Sequence, residues 1–502
     1  MKRAPAGPKL DVAPGTRDND PELELHDIQG DVLVGLQKNV EKFMFFEITD
    51  ATVFKRRMKE KVIVRITTAL VAHLREFQVI QRKALGGQGL LPLVGLNVGF
   101  TFDGLKALLG PDVVGFDKSF ESGAMHRARD LNDPVDGKGR PSTWKPQFRS
   151  GRVDGVFLVT GPDEDVVGAE SAELLSRLGN SVRVVYSEIG SVRPERGHEH
   201  FGFLDGVSQP GVRGLTARQN ASDEDQGLPG QDLLWPGLFV FGYPGQDKVN
   251  HKKKGREPAM PFRWMRNGSY MVFRRLEQKV PEFRAFIAAQ ALELGIDPEL
   301  LAARMVGRWR SGAPLMLAPL QDDDPLGNDP MRNNDFEFGS DGGQRRCPFA
   351  AHIRKTYPRD DLGDEGPIQV RRILRAGIPF GPEVCVEEDG QTKKERGLML
   401  VCYQTSIVNQ FEFVQMQWAN NTQFVPGKKR PSNQAPVTPG HDPIIGQANQ
   451  GGSRGRKMDE AVPNYPVGNQ RSQLSMPKDF IVPTAAGYFF VPSITALRTA
   501  LT

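Results

Sequence analysis

Strand and helix patterns follow one another in the same order in two halves of the chain, and this order limits the possible folds most strongly. In the first half, buried-strand patterns at residues 156–159 and 182–186 enclose a helix signal. In the second half, a strand pattern at 269–273 precedes an amphipathic helix at 282–294. The spacing of apolar residues is the main sequence signal for such elements. The halves show no residue-level repeat, but the shared order is compatible with two similar α+β domains packed together.

Composition places the chain among globular proteins and excludes several function classes. Its 502 residues are 38% hydrophobic and 25% charged, with a formal net charge of +4. Such a weak charge surplus argues against a dedicated nucleic-acid-binding protein. No apolar run reaches the roughly 18 residues that a membrane span requires. The first 20 residues lack the apolar core of a secretory signal, so we expect a cytosolic protein, or one exported by another route or after removal of a leader.

Few residues are available for metal chemistry. The chain has 3 Cys and 8 His, and the cysteines show no CxxC spacing. This excludes both a disulfide framework and a zinc ribbon. Any metal centre must therefore depend on a small number of histidines.

The first candidate motif covers residues 198–210 and contains the pattern Gly202-x-x-Asp205-Gly206. An aspartate between glycines in an apolar segment is a carboxylate held by a tight backbone. Asp-Gly is also a common turn pair, so Asp205 could instead cap its own loop. The His198-Glu-His200 pattern nearby allows a zinc hydrolase as an alternative, but it lacks an obvious third ligand.

The second and third motifs supply a histidine and an arginine. His352 follows an apolar Pro-Phe-Ala-Ala stretch and could be an axial ligand or a buried core histidine. Basic residues near it could neutralise anionic groups of a cofactor: Arg345, Arg346, Arg354 and Lys355. Arg375 precedes a Gly/Pro turn in the segment 371–383 and could equally be a surface or ion-pairing arginine.

These three motifs, in this order, resemble those of the dye-decolorising peroxidase family of haem proteins, and most closely its fungal-type branch. Further matches extend from near residue 27 to the C-terminus. The resemblance implies two ferredoxin-like domains, each an antiparallel sheet with flanking helices. A flexible tail over residues 1–25 would precede an N-terminal domain at 26–225 with the GxxDG motif. A C-terminal domain at 226–502 would bind the haem.

The resemblance also implies an activity and a cofactor. The protein would be a haem peroxidase that uses H2O2 to oxidise dyes, phenols and other organic reductants through a ferryl intermediate. One haem b per chain would be held by His352 as the axial iron ligand, with Asp442 as a hydrogen-bond partner or, alternatively, a turn cap. Asp205 would be the acid–base residue, and Arg375 would stabilise the charge that develops during O–O cleavage. Because the intrinsic pKa of aspartate is about 3.9, we expect an acidic pH optimum.

The remaining assignments by resemblance concern the pocket walls and electron transfer. Leu398 and Leu400 would form the distal wall of the haem pocket, or be ordinary core residues. Trp418 matches the position of a surface tryptophan that transfers electrons from bulky dyes, or is a packing residue. Many relatives carry tyrosine where this chain has Phe380, so a tyrosine route at that position is in doubt.

Several questions stay open at the level of the sequence. A haem-binding or storage protein with little turnover would need His352 but neither Asp205 nor Arg375. The sequence does not decide whether Mn²⁺ is oxidised, or whether the protein is a monomer or a homodimer.

Overall fold

The computed structural model describes residues 20–85, 91, 93–149, 151–220, 222–250, 252–363, 365–428, 436–448, 454–459 and 473–502. Residues 1–19 of the predicted tail lie outside these ranges. Leu23 and Leu25 already pack against the core. Within the described ranges, no helix has the length and apolar character needed to cross a membrane.

The strands fall into a large sheet and two small ones. In chain order they are β1 Val40–Ile48, β2 Gly95–Phe100, β3 Gly155–Gly161, β4 Val182–Ser191, β5 Gly211–Val212, β6 Leu233–Leu234, β7 Ser269–Gln278, β8 Leu374–Arg375, β9 Ile378–Phe380, β10 Gly397–Gln404, β11 Arg456–Met458, β12 Leu474–Met476 and β13 Ile481–Val491. Strand β5 pairs with β6, and β11 pairs with β12. The others form one sheet of nine strands.

Helices cover the sheet and build the segments around it. In chain order they are α1 Gly30–Leu33, α2 Ala51–Arg57, α3 Ala69–Ala84, α4 Phe102–Leu109, α5 Lys118–Ser122, α6 Ala124–Arg127, α7 Pro146–Arg149, α8 Glu164–Leu178, α9 Val280–Leu294, α10 Pro298–Val306, α11 Asp324–Gly327, α12 His352–Thr356, α13 Gly366–Gln369, α14 Phe411–Phe413 and α15 Ile494–Thr499. Helix α8 is capped at both ends: the Asp163 side chain accepts the N–H of Val166, and Gly179 follows the last turn.

Each half of the chain contributes four strand positions to the large sheet in the same order. Read in the same direction around the sheet, the first half runs β2-β3-β1-β4 and the second runs β8/β9-β10-β7-β13, in which β8 and β9 lie end to end along one edge of β10. All of these pairings are antiparallel. The prediction of two ferredoxin-like α+β units is therefore confirmed.

The two halves are joined edge to edge. Strand β13 pairs with β2 at Phe490 and Phe100, and β4 pairs with β9 at Gly190 and Phe380. Since β7 also pairs with β10, the sheet closes on itself as a barrel. Aromatic side chains of both halves meet there, such as Phe45 and Phe273, whose ring centroids lie 4.9 Å apart.

One predicted helix differs from the observed element. The sequence predicts a helix over 406–418, whereas α14 begins at Phe411 and continues into a π-helix at Val414–Ala419. In the preceding residues side chains compete with the helical backbone bonds: Gln410 Oε1 accepts the N–H of Ser406, and Ser406 Oγ accepts the N–H of Asn409.

Candidate active site

One cavity on the outer face of strands β7 and β10 brings most of the predicted site residues together. Its lining includes Asp205, His352, Arg375, Leu398 and Leu400. Asp442 is not in the lining itself but contacts three lining residues, His352, Ile444 and Ile445. Trp418 lies in a separate apolar cluster.

Asp205 lies in the loop between β4 and β5, and two glycines shape this loop. Gly202 and Gly206 have φ angles of 95° and 80°, a region that glycine adopts without steric cost. Asp205 Oδ1 accepts the N–H of Gly206 at 2.7 Å and Nη1 of Arg375 at 2.9 Å. Oδ2 makes no hydrogen bond with any described residue. The carboxylate thus makes the local turn contact suggested by the alternative reading, and keeps one oxygen available.

Arg375 is fixed by the residues that follow Asp205. The Gln209 side chain makes two hydrogen bonds with the backbone of Arg375. Its Nε2 donates to the Arg375 carbonyl at 2.6 Å, and its Oε1 accepts the Arg375 N–H at 3.3 Å. Nη2 of Arg375 donates to the carbonyl of Ser208 at 3.2 Å. The arginine and the aspartate are therefore held as a pair, although 170 residues separate them in the chain.

The surroundings keep Asp205 in its ionised form. Burial in the cavity raises its pKa, but the Arg375 charge and the Gly206 N–H lower it more, so the pKa of Asp205 lies below its usual range. At neutral and mildly acidic pH the group is a carboxylate that can accept a proton.

Glu199 is a second carboxylate of the cavity that the sequence did not single out. Its Oε2 accepts the N–H of Phe201 at 2.9 Å, and its Oε1 accepts the N–H of Phe203 at 2.9 Å. Nε2 of Gln278, at the end of β7, also donates to it. Burial, with a smaller contribution from Asp205, raises the pKa of Glu199 despite these donors. Its carboxylate closes the turn that leads to Asp205.

His352 begins α12 and is backed by a buried aspartate. Its Nδ1 lies 2.8 Å from Oδ2 of Asp442, which is fully buried. Oδ1 of Asp442 accepts the N–H groups of Ile444 and Ile445 at 2.8 and 3.0 Å. Asp442 is thus both a turn cap and the partner of His352. A carboxylate at Nδ1 holds the proton there and leaves Nε2 as the free lone pair.

Arg456, on β11, holds the loop that carries Asp442. Its side chain is buried, and Nη1 donates to the carbonyls of Pro443 and Gly446 at 3.1 Å each. Nη2 donates to the carbonyl of Lys478 at 3.0 Å. The histidine is therefore oriented through three successive contacts, from Arg456 to the loop, to Asp442 and to the ring.

Two of the four cations predicted to neutralise a cofactor, Arg354 and Lys355, are engaged elsewhere. Nε of Arg354 binds Asp361 at 2.5 Å, and Nζ of Lys355 donates to the carbonyls of Asn421 and Phe424. Neither residue lines the cavity. The expectation for this pair is wrong, because the short helix α12 directs both side chains into the protein.

Other arginines supply positive charge to the cavity instead. Arg308 is buried and bonds the carbonyls of Gly312 and Asn333 at 2.9 and 2.6 Å, with no ion-pair partner among the described residues. Burial and the nearby Arg359 lower its pKa to about 9. Nε of Arg371, also in the lining, is buried without a hydrogen-bond partner in the described part of the chain. The cavity therefore has cationic groups that fit an anionic ligand.

Leucines form the apolar wall of the cavity. Leu398 and Leu400 lie opposite Leu276 and Arg274 in the pairing of β10 with β7. Alternate residues of a strand share a face, so both leucines face the cavity as predicted.

The two aromatic positions of the prediction are both buried. Trp418 lies in the π-helix with 3% of its surface exposed, stacked on Phe424 at 5.3 Å between ring centroids. The expected surface location is therefore wrong. Ala419 follows Trp418 in the chain, and its carbonyl accepts the N–H of Asp442 at 2.9 Å. Phe380 is 2% exposed, and its ring lies 4.0 Å from the Arg275 guanidinium carbon.

The geometry does not favour the zinc alternative. Nε2 of His200 lies 2.9 Å from the carbonyl of Phe380, while the His198 ring contacts the carbonyls of Arg196 and Arg310. No group of three or more His, Cys, Asp or Glu side chains suited to a metal ion occurs within the described ranges.

Comparisons with known proteins agree with this geometry. Residues 27–194 match the family model of the DyP dimeric alpha+beta barrel domain, and residues 304–425 match that of the Dyp-type peroxidase C-terminal domain. The dye-decolorizing peroxidase of Mycena epipterygia is 37% identical over 98% of this chain and 90% of its own length. That of Exidia glandulosa is 38% identical over 95% of this chain and 87% of its own.

Solved structures give the same result. An ancestral D-type dye decolorizing peroxidase superposes with a TM-score of 0.83 at 40% identity, covering 96% of this chain and all of its own. A dye-decolorizing peroxidase in complex with 2,6-dimethoxyphenol has a TM-score of 0.79 at 38% identity, covering 95% of this chain and 99% of its own. From the fold, the cavity and these matches we conclude that the chain belongs to the dye-decolorizing peroxidase family of enzymes.

Proposed function

We propose that this peroxidase binds one haem b in the cavity and uses H2O2 to oxidise phenols and dyes. The observation that carries the proposal is that a single cavity is lined by His352, backed by Asp442, and by Asp205, hydrogen-bonded to Arg375. The His352–Asp442 pair suits an iron ligand, and the Asp205–Arg375 pair suits proton transfer next to the iron. The phenol complex of a relative supports phenols as a substrate class.

The cavity lining fits the cofactor of this family, whose members are haem enzymes. Nε2 of His352 would hold the iron, since Nδ1 is engaged with Asp442. Arg308 and Arg371 would neutralise the haem carboxylates, which explains why neither guanidinium pairs with a carboxylate among the described residues. Leu398 and Leu400 would contact the porphyrin face. Bound there, haem would supply the redox-active iron that reduces peroxide and then oxidises the organic substrate.

Asp205 would move the proton that peroxide cleavage requires. With Oδ1 bound to Arg375 and Gly206, Oδ2 is free to take a proton from one peroxide oxygen and deliver it to the other. The peroxide oxygen that receives the proton then leaves as water and not as hydroxide. This transfer needs an ionised carboxylate when peroxide arrives, and the lowered pKa of Asp205 supplies it.

Arg375 would have two effects. Its guanidinium stabilises the negative charge that develops on the leaving oxygen. It also keeps Asp205 ionised, since an adjacent cation lowers a carboxyl pKa. A haem-storage protein would need neither effect, and the fixed pair is therefore better explained by turnover.

An absorption spectrum of the haem-loaded protein tests this proposal. We expect a Soret band that changes on addition of H2O2, together with peroxide-dependent oxidation of 2,6-dimethoxyphenol. Asp205→Asn should keep the Soret band of the resting protein and lose the rapid response to peroxide, by about 100-fold or more. A Soret band without any peroxide response would favour storage, and no Soret band after reconstitution would exclude the haem site.

A further inference from the structure

Tyr357 is a cavity residue to which the mechanism above assigns no role. It and Tyr186 are the tyrosines in the described part of the chain whose side chains are only partly buried. Tyr357 lines the same cavity as His352 and Asp205, whereas Tyr186 does not. Tyr357 follows α12, only five residues after His352. An electron-rich phenol therefore lies beside the site where oxidising equivalents would be generated.

The phenolic proton of Tyr357 has a defined acceptor. Its O–H donates to Oδ2 of Asp232. Nε2 of Gln369 donates to the phenolic oxygen at 3.1 Å and to the same carboxylate oxygen at 2.8 Å. Burial and the Asp232 charge raise the pKa of Tyr357, so the resting phenol is protonated. The three side chains form a closed triangle that fixes the direction of the O–H bond.

Two cations determine which oxidised form of the ring is accessible. The guanidinium carbon of Arg372 lies 3.6 Å from the ring centroid of Tyr357, and that of Arg359 lies 5.2 Å away. A positive charge left on the ring would be repelled by both. Loss of an electron must therefore be accompanied by loss of the phenolic proton, and an oxidised phenol is a strong acid that transfers its proton readily to a carboxylate.

We propose that Tyr357 is a one-electron donor to the oxidised cofactor, with Asp232 as its proton acceptor. The proposal rests on the proposed peroxidase function, which supplies the oxidant. Tyr357 loses one electron to the cofactor and its O–H proton to Oδ2 of Asp232, leaving a neutral tyrosyl radical. A phenolic reductant then returns the electron and Asp232 returns the proton, which restores Tyr357. The reductant, oxidised by one electron, releases its own phenolic proton to water and leaves as a neutral phenoxyl radical.

Freeze-quench electron paramagnetic resonance of the full-length haem-loaded protein tests the proposal. The protein is mixed with H2O2 without reductant, with ordinary or ring-deuterated tyrosine incorporated. We expect an organic radical whose hyperfine pattern narrows on tyrosine deuteration. Tyr357→Phe should abolish this signal and leave the Soret response intact. Asp232→Asn, which keeps the ring and removes the acceptor, should slow its formation by about 100-fold.

Tyr186→Phe is the matched control, because Tyr186 also donates to a carboxylate, Glu188, but lies outside the cavity lining. It should keep the signal. A tyrosyl signal that survives Tyr357→Phe, one lost in Tyr186→Phe, or an absent signal would overturn the proposal, provided that the Soret band responds to peroxide. A Soret band that does not respond would overturn the peroxidase function itself, and this proposal with it.

Discussion

Arg375 lowers the pKa of Asp205, and under the proposed function it would set the pH range in which Asp205 acts as a base. Burial alone would raise the pKa of Asp205, and the Arg375 charge is the main opposing effect. A carboxylate with a depressed pKa stays ionised as the pH falls and loses its function only below that pKa. This is the physical basis of the predicted acidic pH optimum.

The first prediction concerns Arg375→Leu. Without the cation, burial should raise the pKa of Asp205, and the acid limb of kcat/KM for H2O2 should move up by at least about one pH unit. Activity should also fall, because the developing charge is no longer stabilised. Steady-state rates between pH 2 and 7 measure both effects. An acid limb of kcat/KM at the same pH as in the wild type would contradict the assignment of Arg375 as the cation that lowers the pKa of Asp205.

The second prediction concerns Glu199→Gln. The amide can accept from only one side, so one of the N–H groups of Phe201 and Phe203 would face an NH2 group. The free energy of unfolding should fall by about 1–3 kcal/mol, as measured by denaturant titration. Glu195→Gln, on the same loop with a 58% exposed side chain, should change it by less than about 0.5 kcal/mol. Equal effects of the two variants would argue that the Glu199 carboxylate does not stabilise the turn through the N–H groups of Phe201 and Phe203.

At the scale of single residues, motifs identified residues that line the cavity but not those that hold them in place. Asp205, His352 and Arg375 lie within recognisable patterns, and the cavity brings all three together. Glu199 was passed over because its role depends on two backbone N–H groups of a folded turn. Arg308 carries no local signal at all, since what distinguishes it is a buried charge without an ion-pair partner among the described residues.

At the scale of elements, the loop that follows Gly440 matters more than its lack of regular structure suggests. Arg456 on β11 binds two carbonyls of this loop, and Asp442 at its start holds His352. A small two-stranded sheet far along the chain thus sets the orientation of the predicted iron ligand. Supporting contacts of this kind affect metal affinity strongly.

The third prediction concerns Arg456→Met. The carbonyls of Pro443 and Gly446 would lose their buried donor, and the free energy of unfolding should fall by about 2 kcal/mol or more. Transfer of haem to an apo-globin acceptor should also become faster. Lys457→Met, on the same strand with an exposed side chain, is the control and should change neither value. Unchanged haem release in Arg456→Met would mean that the loop is held by other contacts.

The fourth prediction concerns the π-helix and Trp418. The buried ring stacks on Phe424, and the adjoining carbonyl of Ala419 is bonded to Asp442. If Trp418 transfers electrons from dyes, Trp418→Phe should spare small phenols and weaken turnover of bulky dyes, because phenylalanine is far harder to oxidise. Trp418→Ser would confuse this test, since truncation of a buried tryptophan costs about 3–5 kcal/mol. Equal loss on both substrate classes would count against the role.

At the scale of the whole molecule, closure of the sheet makes the two halves one structural unit. The seams at Gly190–Phe380 and Phe490–Phe100 join strands that belong to different halves. A half separated from the other would expose two strand edges, which favours aggregation.

The fifth prediction follows from this closure. Despite the length of the chain, the sheet should unfold in one cooperative transition, so that scanning calorimetry shows a single endotherm and far- and near-ultraviolet dichroism change together. Two resolved transitions would show that the halves are independent, as the predicted boundary at residues 225 and 226 would allow.

The sequence could predict the two α+β units but not their closure. The alternation of residues in strands such as β2 and β10 reveals which side chains share a face. It contains no information on which strand edge meets another, because β13 and β2 are nearly four hundred residues apart in the chain. The same limit applies to Asp442, which lies 90 residues from His352.

The cavity takes Asp205 from one half of the chain and His352 and Arg375 from the other. A recombined gene with halves from two divergent relatives would have to encode compatible strand edges at both junctions, Gly190–Phe380 and Phe490–Phe100. It would also have to encode compatible residues in the shared cavity. Natural variation in this family should therefore accumulate by substitution within the whole unit, and exchange of halves should be selected against. The two halves, and the cavity residues that each contributes, should therefore be inherited together.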